Sequence, residues 1–338
     1  MLAGLAGSAP RQFLQTAGDG RTPQRLQLRL FFSYSSRVPS SLQVHTAASL
    51  RDDLNARARG WALARGARHE LTTGRSPSVI FGADEAGGHG NFHPASYQAI
   101  DREAAWARRL SKVHTASVRA LPRANWRWRE LDCASSSDAL LMNIFCHPET
   151  LHCAAVRVLL GADAGLRPVF GVRARVPLAS GRVDTTEIDM RLGALLVEAK
   201  LTEVDFQTAR PALVERYRDL HAVFHVDQLP RTRAVIVGER WDEGLAAMVP
   251  VKRGVDGNLL SYQLVRGVLA TLATESAYCV ICDQRREDLI EAWHRVQQAV
   301  RSAELRCRLQ LLTWQELARV LSFTLQDFLA LKYGIEAA

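Results

Sequence analysis

Residues 185–203 read TTEIDMRLGALLVEAKLTE, and apolar and charged side chains alternate through them, across one glycine, almost without a slip. A period of two is the signature of a strand with two unlike faces. A two-residue Gly193-Ala194 turn with glycine first pairs Leu192 with Leu195 and, in the same register, Asp189 with Glu198 and Glu187 with Lys200. One face then carries Glu187, Asp189, Arg191, Leu196, Glu198 and Lys200, and the other, wholly apolar, carries Ile188, Met190, Leu192, Leu195, Val197, Ala199 and Leu201. A half-buried hairpin with a solvated charged face is the plain reading. Against it, directly opposed carboxylates repel, and the chain runs on into further helices and strands, so this hairpin is expected inside a sheet. The acids there need a partner. A hard divalent cation suits them, because Mg²⁺ is held by one or two carboxylates, waters and phosphate oxygens, and the backbone carbonyl of Ala199 lies between the two charged side chains. Acid, acid, lysine and metal together suit phosphodiester hydrolysis.

Working outward, NFHPASYQAIDREAAWARRLSKVHTA has helical spacing after a proline, and SSSDALLMNIFCHPE opens on a serine cluster fit for an N-cap. PVFGVRARVPL, TTEIDMRL and ALLVEAKL read as three strands, followed by a helix from about Pro211 to Val226. RAVIVGE reads as a strand, LLSYQLVRGVLATLA as a helix, AYCVICD as a buried strand, REDLIEAWHRVQQAVRSAE as a long helix, and CRLQLLTW as a last strand before a closing helix. This order describes an α/β domain with a mixed sheet.

The 338 residues are 47% hydrophobic and 23% charged, ordinary globular composition. The net charge of +8 is not spread along the chain. Residues 1–78 hold eleven Arg against four acids, +7 of the total, so the remaining 260 residues carry only +1. Residues 1–78 are expected to be an irregular, Arg-rich leader, disordered or a start codon placed too early, with weak periodicity except near Leu50 to Leu63. Its acid-poor start suits a transit peptide but lacks the apolar stretch of a secretory signal. The domain proper is expected over 79–338. No run of about 18 apolar residues predicts a membrane span. Cys279 and Cys282 form a lone CxxC inside an apparent core strand, so core thiols are expected there instead of a metal site, in a reducing cytoplasm. His89 and His93 fall in a Gly-rich loop, and Trp126 and Trp128 alternate with Arg, which suits either base stacking or a short strand with buried Trp.

Asp189, followed after a short gap by Glu198, Ala199 and Lys200 on the next strand, resembles the bipartite motif of the PD-(D/E)XK nuclease superfamily. The order helix, three-stranded meander, helix, strand is similar to that superfamily's core. WRELDCASSSDALLMNIFCHPE, TTEIDMRL, LLVEAKLTE and LLSYQLVRGVLA look like segments of a group of uncharacterised bacterial predicted restriction endonucleases, across residues 80–320. The resemblance implies a restriction-endonuclease-like core, a mixed central sheet flanked by helices. It implies that Asp189, Glu198 and the Ala199 carbonyl hold Mg²⁺ or Mn²⁺, and that Lys200 orients the attacking water or stabilises charge on the phosphate. Asp138, Glu203 and Gln263 fall in matching blocks as supporting residues. The proline that names the motif is absent, since Thr186 and Glu187 stand ahead of Ile188 and Asp189. The implied protein is a cytoplasmic, Mg²⁺-dependent endonuclease acting on nucleic acid, DNA foremost, in restriction or phage defence, without a membrane partner and with a homodimer admitted. The alternative is a non-catalytic nucleic-acid- or protein-binding module on the same fold.

Overall fold

The computed structural model describes residues 45–72, 77–113, 129–244, 246–254 and 256–337. In chain order these form α1 (Ala47–Arg65), β1 (His69–Leu71), β2 (Val79–Phe81), α2 (Pro94–Arg102), α3 (Ala104–Ala107), α4 (Ser137–Phe145), α5 (Ala154–Leu160), β3 (Pro168–Pro177), β4 (Val183–Leu192) and β5 (Leu195–Ala199). There follow α6 (Pro211–Val214), α7 (Leu220–Val223), β6 (Val235–Asp242), β7 (Ala247–Arg253), α8 (Tyr262–Ala273), β8 (Ala277–Cys282), α9 (Glu287–Gln298), α10 (Ala303–Cys307), β9 (Leu309–Thr313), α11 (Trp314–Ala318) and α12 (Phe323–Tyr333).

The central sheet has the order β3-β4-β5-β8-β9. Its first three strands form an antiparallel meander, while β5 pairs with β8 and β8 with β9 in parallel. It is the mixed α/β sheet flanked by helices that the sequence order describes. Successive side chains leave a strand on opposite faces, and both faces here are covered. Met190, Leu192, Val197, Ala199, Cys279 and Ile281 pack into one core with α1, α4, α11 and α12. Leu196, Tyr278, Val280 and Cys282 pack into the other with α8 and α9. The CxxC cysteines therefore face opposite sides of the sheet and cannot share a ligand; burial pushes the Cys282 thiol up to about 12, and all six cysteines are free.

The Gly193-Ala194 turn is as expected: Leu192 pairs with Leu195 and Met190 with Val197, and Gly193 takes the positive φ of 58° that only glycine adopts cheaply. The expected face assignment fails on the N-terminal side of Asp189. Ile188 packs with Leu196 in the second core, while Met190 packs in the first. Between them the β3–β4 ladder skips the Gly171–Asp189 position, and Gly171 has φ 64°. The strand is wrung there, so residues of equal parity point to different sides across Asp189.

Three other expectations are corrected. The helix foreseen from Pro211 to Val226 is the pair of short turns α6 and α7, and the RAVIVGE strand, β6, joins β7 in a separate two-stranded ribbon instead of the main sheet. The leader foreseen over 1–78 does not extend past residue 46. Thr46 caps α1 by accepting from the Ser49 N–H at 3.2 Å, and Leu50, Leu54, Ala58, Trp61 and Ala62 pack into the first core. Trp61 meets Phe328 of α12 edge to face at 5.2 Å between ring centroids, and β1 and β2 pair beside it. Residues 1–44, together with Trp126 and Trp128, lie outside the described residues. Among the described residues no helix is long and apolar enough to cross a membrane.

Leu54 is 1% exposed, so Leu54→Ala is expected to cost about 2–5 kcal/mol in denaturant unfolding, whereas a dispensable leader would tolerate it. Lys332, 1% exposed, has its Nζ over the ring of Tyr333 at 3.8 Å and, among the described residues, no hydrogen bond. Burial pushes its pKa well below the ordinary 10.5. Between those two values the unfolded chain binds the extra proton, so stability rises with pH through that window. Lys332→Met is expected to raise Tm by a few degrees at pH 7 and to flatten that rise when Tm is followed from pH 7 to about 10.

Candidate active site

The β4–β5 ladder ends at Met190 and Val197, and the next two strand positions carry the acids. As the strands part, the Ala199 N–H loses its backbone partner and donates instead to Asp189 Oδ2 at 2.8 Å. The carbonyl of a strand residue points to the same edge as its N–H, so the Ala199 oxygen is directed toward this opening. Glu198 and Lys200 leave the other face of β5, 4% and 5% exposed, with Lys200 Nζ donating to Glu198 Oε1 at 2.7 Å. The Glu187–Lys200 pairing expected from the register does not form, because the β4–β5 ladder ends before it reaches them; on the other edge of β4, Glu187 pairs with Arg173 of β3.

The electrostatics follow from this crowding. Burial first, then repulsion from Glu198 and Asp138, pushes the Asp189 pKa well above its usual range, against the pull of Lys200 and the Ala199 N–H. Burial opposes the charge on Lys200, but Glu198, Glu203 and Asp189 outweigh it and hold its pKa above the ordinary value. Lys200 is therefore a fixed cation. Its Nζ lies 5.7 Å from the Phe206 ring centroid, a contact that favours the charged form.

The segment after β5 is held by side chains from across the fold. Trp314 Nε1 donates to the Lys200 carbonyl at 2.9 Å and Arg51 Nη2 to the Thr202 carbonyl at 2.9 Å. The buried Arg286 donates to the carbonyls of Leu201, Glu203 and Val204 at 3.3, 2.8 and 3.1 Å. Glu203 closes the segment, accepting from the Leu201 N–H at 2.6 Å and from Ser137 Oγ at 2.5 Å at the start of α4. Gln263 enters through its backbone, its N–H donating to the Phe206 carbonyl at 2.9 Å. Asp138 is near enough to repel Asp189 but is itself committed: Arg109 Nη2 donates to it at 2.7 Å and Lys112 Nζ at 3.1 Å. Both cations also bind Glu187, at 3.0 and 3.2 Å, and Lys112 binds Glu130 at 3.0 Å.

Sequence reasoning missed Arg109, Lys112 and the part taken by Glu187. Its signal was Gly171, a lone glycine inside the strand VFGVRARV, which marks close approach by another group. A Cβ there would collide with the Arg109 guanidinium. The two histidines are structural in different ways: His89 Nε2 meets Asp132 Oδ1 at 3.2 Å, and His93 Nδ1 accepts from the Ala95 N–H to cap α2. Burial and His147 lower the His93 pKa to about 4, so it is neutral at pH 7.

Residues 64–334 match the family model described as Restriction Endonuclease associating with ARP. The chain belongs to this family. No curated protein and no solved structure matches it. Among the described residues, no three or more His, Cys, Asp and Glu side chains form a ready metal cage. The donors that Asp189, Glu198 and Ala199 offer are nonetheless all hard oxygens, and Asp189 and Glu198 repel one another. That set suits a hard divalent cation that draws its remaining ligands from water and substrate.

The raised Asp189 pKa has a consequence for stability. Above the unfolded value of about 3.9, the folded chain binds the extra proton, so stability falls as pH rises toward the folded pKa. Without metal, Asp189→Asn keeps an acceptor for the Ala199 N–H and removes the repulsion. Its Tm is expected to exceed that of the wild type at pH 8 and to vary less between pH 4 and 8, with the difference shrinking toward pH 4.

Proposed function

We propose that the chain is a divalent-metal-dependent nuclease of the PD-(D/E)XK type, with Asp189, Glu198 and Lys200 as its catalytic residues. The observation that carries this reading is the parting of β4 and β5, which leaves Asp189 on the Ala199 N–H beside Glu198 and its paired Lys200. Asp189, Glu198 and the Ala199 carbonyl would hold Mg²⁺ or Mn²⁺, which supplies charge neutralisation at the phosphate and a more acidic attacking water. Lys200, held charged, cannot act as a general base at neutral pH. It donates hydrogen bonds, orienting the water and stabilising charge that grows on the phosphate oxygens. Glu203, through Ser137 and the Leu201 N–H, positions Lys200. Arg109 and Lys112 hold Asp138 away from full participation. The phrase restriction endonuclease in the family description favours DNA as substrate and restriction or phage defence as setting, and the free thiols suit action in the cytoplasm.

The weak charge of the body argues against tight, sequence-blind binding, because phosphate neutralisation dominates that term. It leaves room for a transient contact, a small RNA substrate, or dependence on the Arg-rich leader. The test is cleavage of plasmid, linear, single-stranded and RNA substrates with titrated Mg²⁺ or Mn²⁺, with binding and Tm followed alongside. Lys200→Ala is expected to lower the rate about 10²–10³-fold with little change in binding, because its contribution grows only as the bond breaks. Asp189→Ala is expected to lose activity and the rise in Tm that metal gives the wild type. Wild-type protein that cuts none of these substrates, or variants that cut at the wild-type rate, would leave the binding module as the better reading.

A further inference from the structure

A cavity with both polar and apolar walls is lined by residues that the nuclease reading does not use. It encloses about 560 Å³ and is lined among others by Arg68, His89, Tyr97, Ser111, Arg129 and Asp132. Its floor is built from short-range constraints. The Ala83–His89 bridge closes the glycine-rich loop, and the Val113–Arg129 bridge brings Arg129 beside the Arg108–Ser111 turn. His89 Nδ1 accepts from the Asn91 N–H at 3.2 Å, so the ring proton is on Nε2, which donates to Asp132 Oδ1 at 3.2 Å. One carboxylate oxygen of Asp132 is thus occupied, and among the described residues the other makes no hydrogen bond. Arg68 and Arg129 are exposed and, among the described residues, neither has an ion-pair partner.

We infer that this cavity is a nucleotide site, with the phosphate on Arg68 and Arg129, the base against Tyr97, and an amino group of the base on the open oxygen of Asp132. Guanidinium groups match phosphate geometry in charge and in paired hydrogen bonds. Tyr97, Leu110 and Val113 supply apolar wall for a base, and a carboxylate accepts from an exocyclic amine. A bare anion would gain from the two arginines but be repelled by Asp132, whereas a nucleotide separates its charge from the base edge that Asp132 prefers. The volume lies within the range of about 300–1,000 Å³ typical of small-ligand pockets.

The cavity abuts the cluster formed by Asp138 and Glu187. From the segment 109–112, Arg109 and Lys112 turn to Asp138 and Glu187, while Leu110 and Ser111 line the cavity. That the bound nucleotide belongs to the strand being cut rests on the nuclease reading; its binding does not, and the test is made without metal so that the two can fail separately.

Binding of 5′-deoxynucleoside monophosphates to the full chain in EDTA would be measured by titration calorimetry, beside inorganic phosphate and unphosphorylated nucleosides. The expected outcome is saturable one-site binding of nucleotide with Kd of about 0.1–1 mM, with nucleoside and inorganic phosphate each at least about tenfold weaker. Arg68→Ala and Arg129→Ala, both at exposed positions, should each weaken nucleotide about tenfold with unchanged circular dichroism, and Asp189→Asn should leave it unchanged. Absence of nucleotide binding, its survival in the double arginine variant, equal binding of inorganic phosphate, or its loss in Asp189→Asn would each overturn the assignment.

Discussion

Five consecutive carbonyls, from Lys200 to Val204, are each capped by a side chain drawn from far along the chain: Trp314, Arg286 and Arg51. This is the constraint on which the candidate site depends. A strand that leaves its sheet exposes backbone acceptors that must be satisfied when buried, and here the satisfaction fixes where β5 ends and in which direction Lys200 emerges. The donors come from α1, from the turn before α9 and from α11, so the segment is set only once those elements have docked. Arg286, fully buried, serves three of the five.

The second determinant is coverage of both sheet faces. Charges on a half-exposed sheet cost little, and Glu198 and Lys200 would then be an ordinary surface pair worth at most about 1 kcal/mol. Packing α8 and α9 over that face leaves the pair 4% and 5% exposed, where breaking it strands a buried charge. The pair is thereby a rigid, oriented unit, and its field reaches Asp189. Around it, Arg109 and Lys112 offset Asp138, Glu187 and Glu130, so that most acids near the opening are balanced by cations of the chain while Asp189 is held by repulsion and one N–H.

The docking of α1 ties this chemistry to a part of the chain that reads poorly in isolation. Its buried stripe of Leu50, Leu54, Ala58, Trp61 and Ala62 has proper helical spacing, but two of its five members are alanine and arginines surround it, so the apolar contrast is faint. Arg51 and Asp53 on the same helix reach Thr202 and Arg285. A helix that resembles leader by composition is therefore a support of the segment behind Lys200.

By itself, the sequence determined the hairpin, its Gly193-Ala194 turn, the strand and helix order of the mixed sheet, and the placing of Glu198 and Lys200 on one face of β5. These follow from local periodicity and turn chemistry, which act over a few residues. The wringing of β4 at Asp189, the move of Ile188 to the opposite core, the breaking of the 211–226 helix into two turns, and the partners of Asp138 and Glu187 were decided only in three dimensions. The partners of Asp138 and Glu187 are Arg109 and Lys112, distant in sequence, and a Cβ at Gly171, 62 residues along from Arg109, would meet its guanidinium. Periodicity carries no information about such contacts, because which backbone group a long side chain reaches is fixed only after the layers have packed.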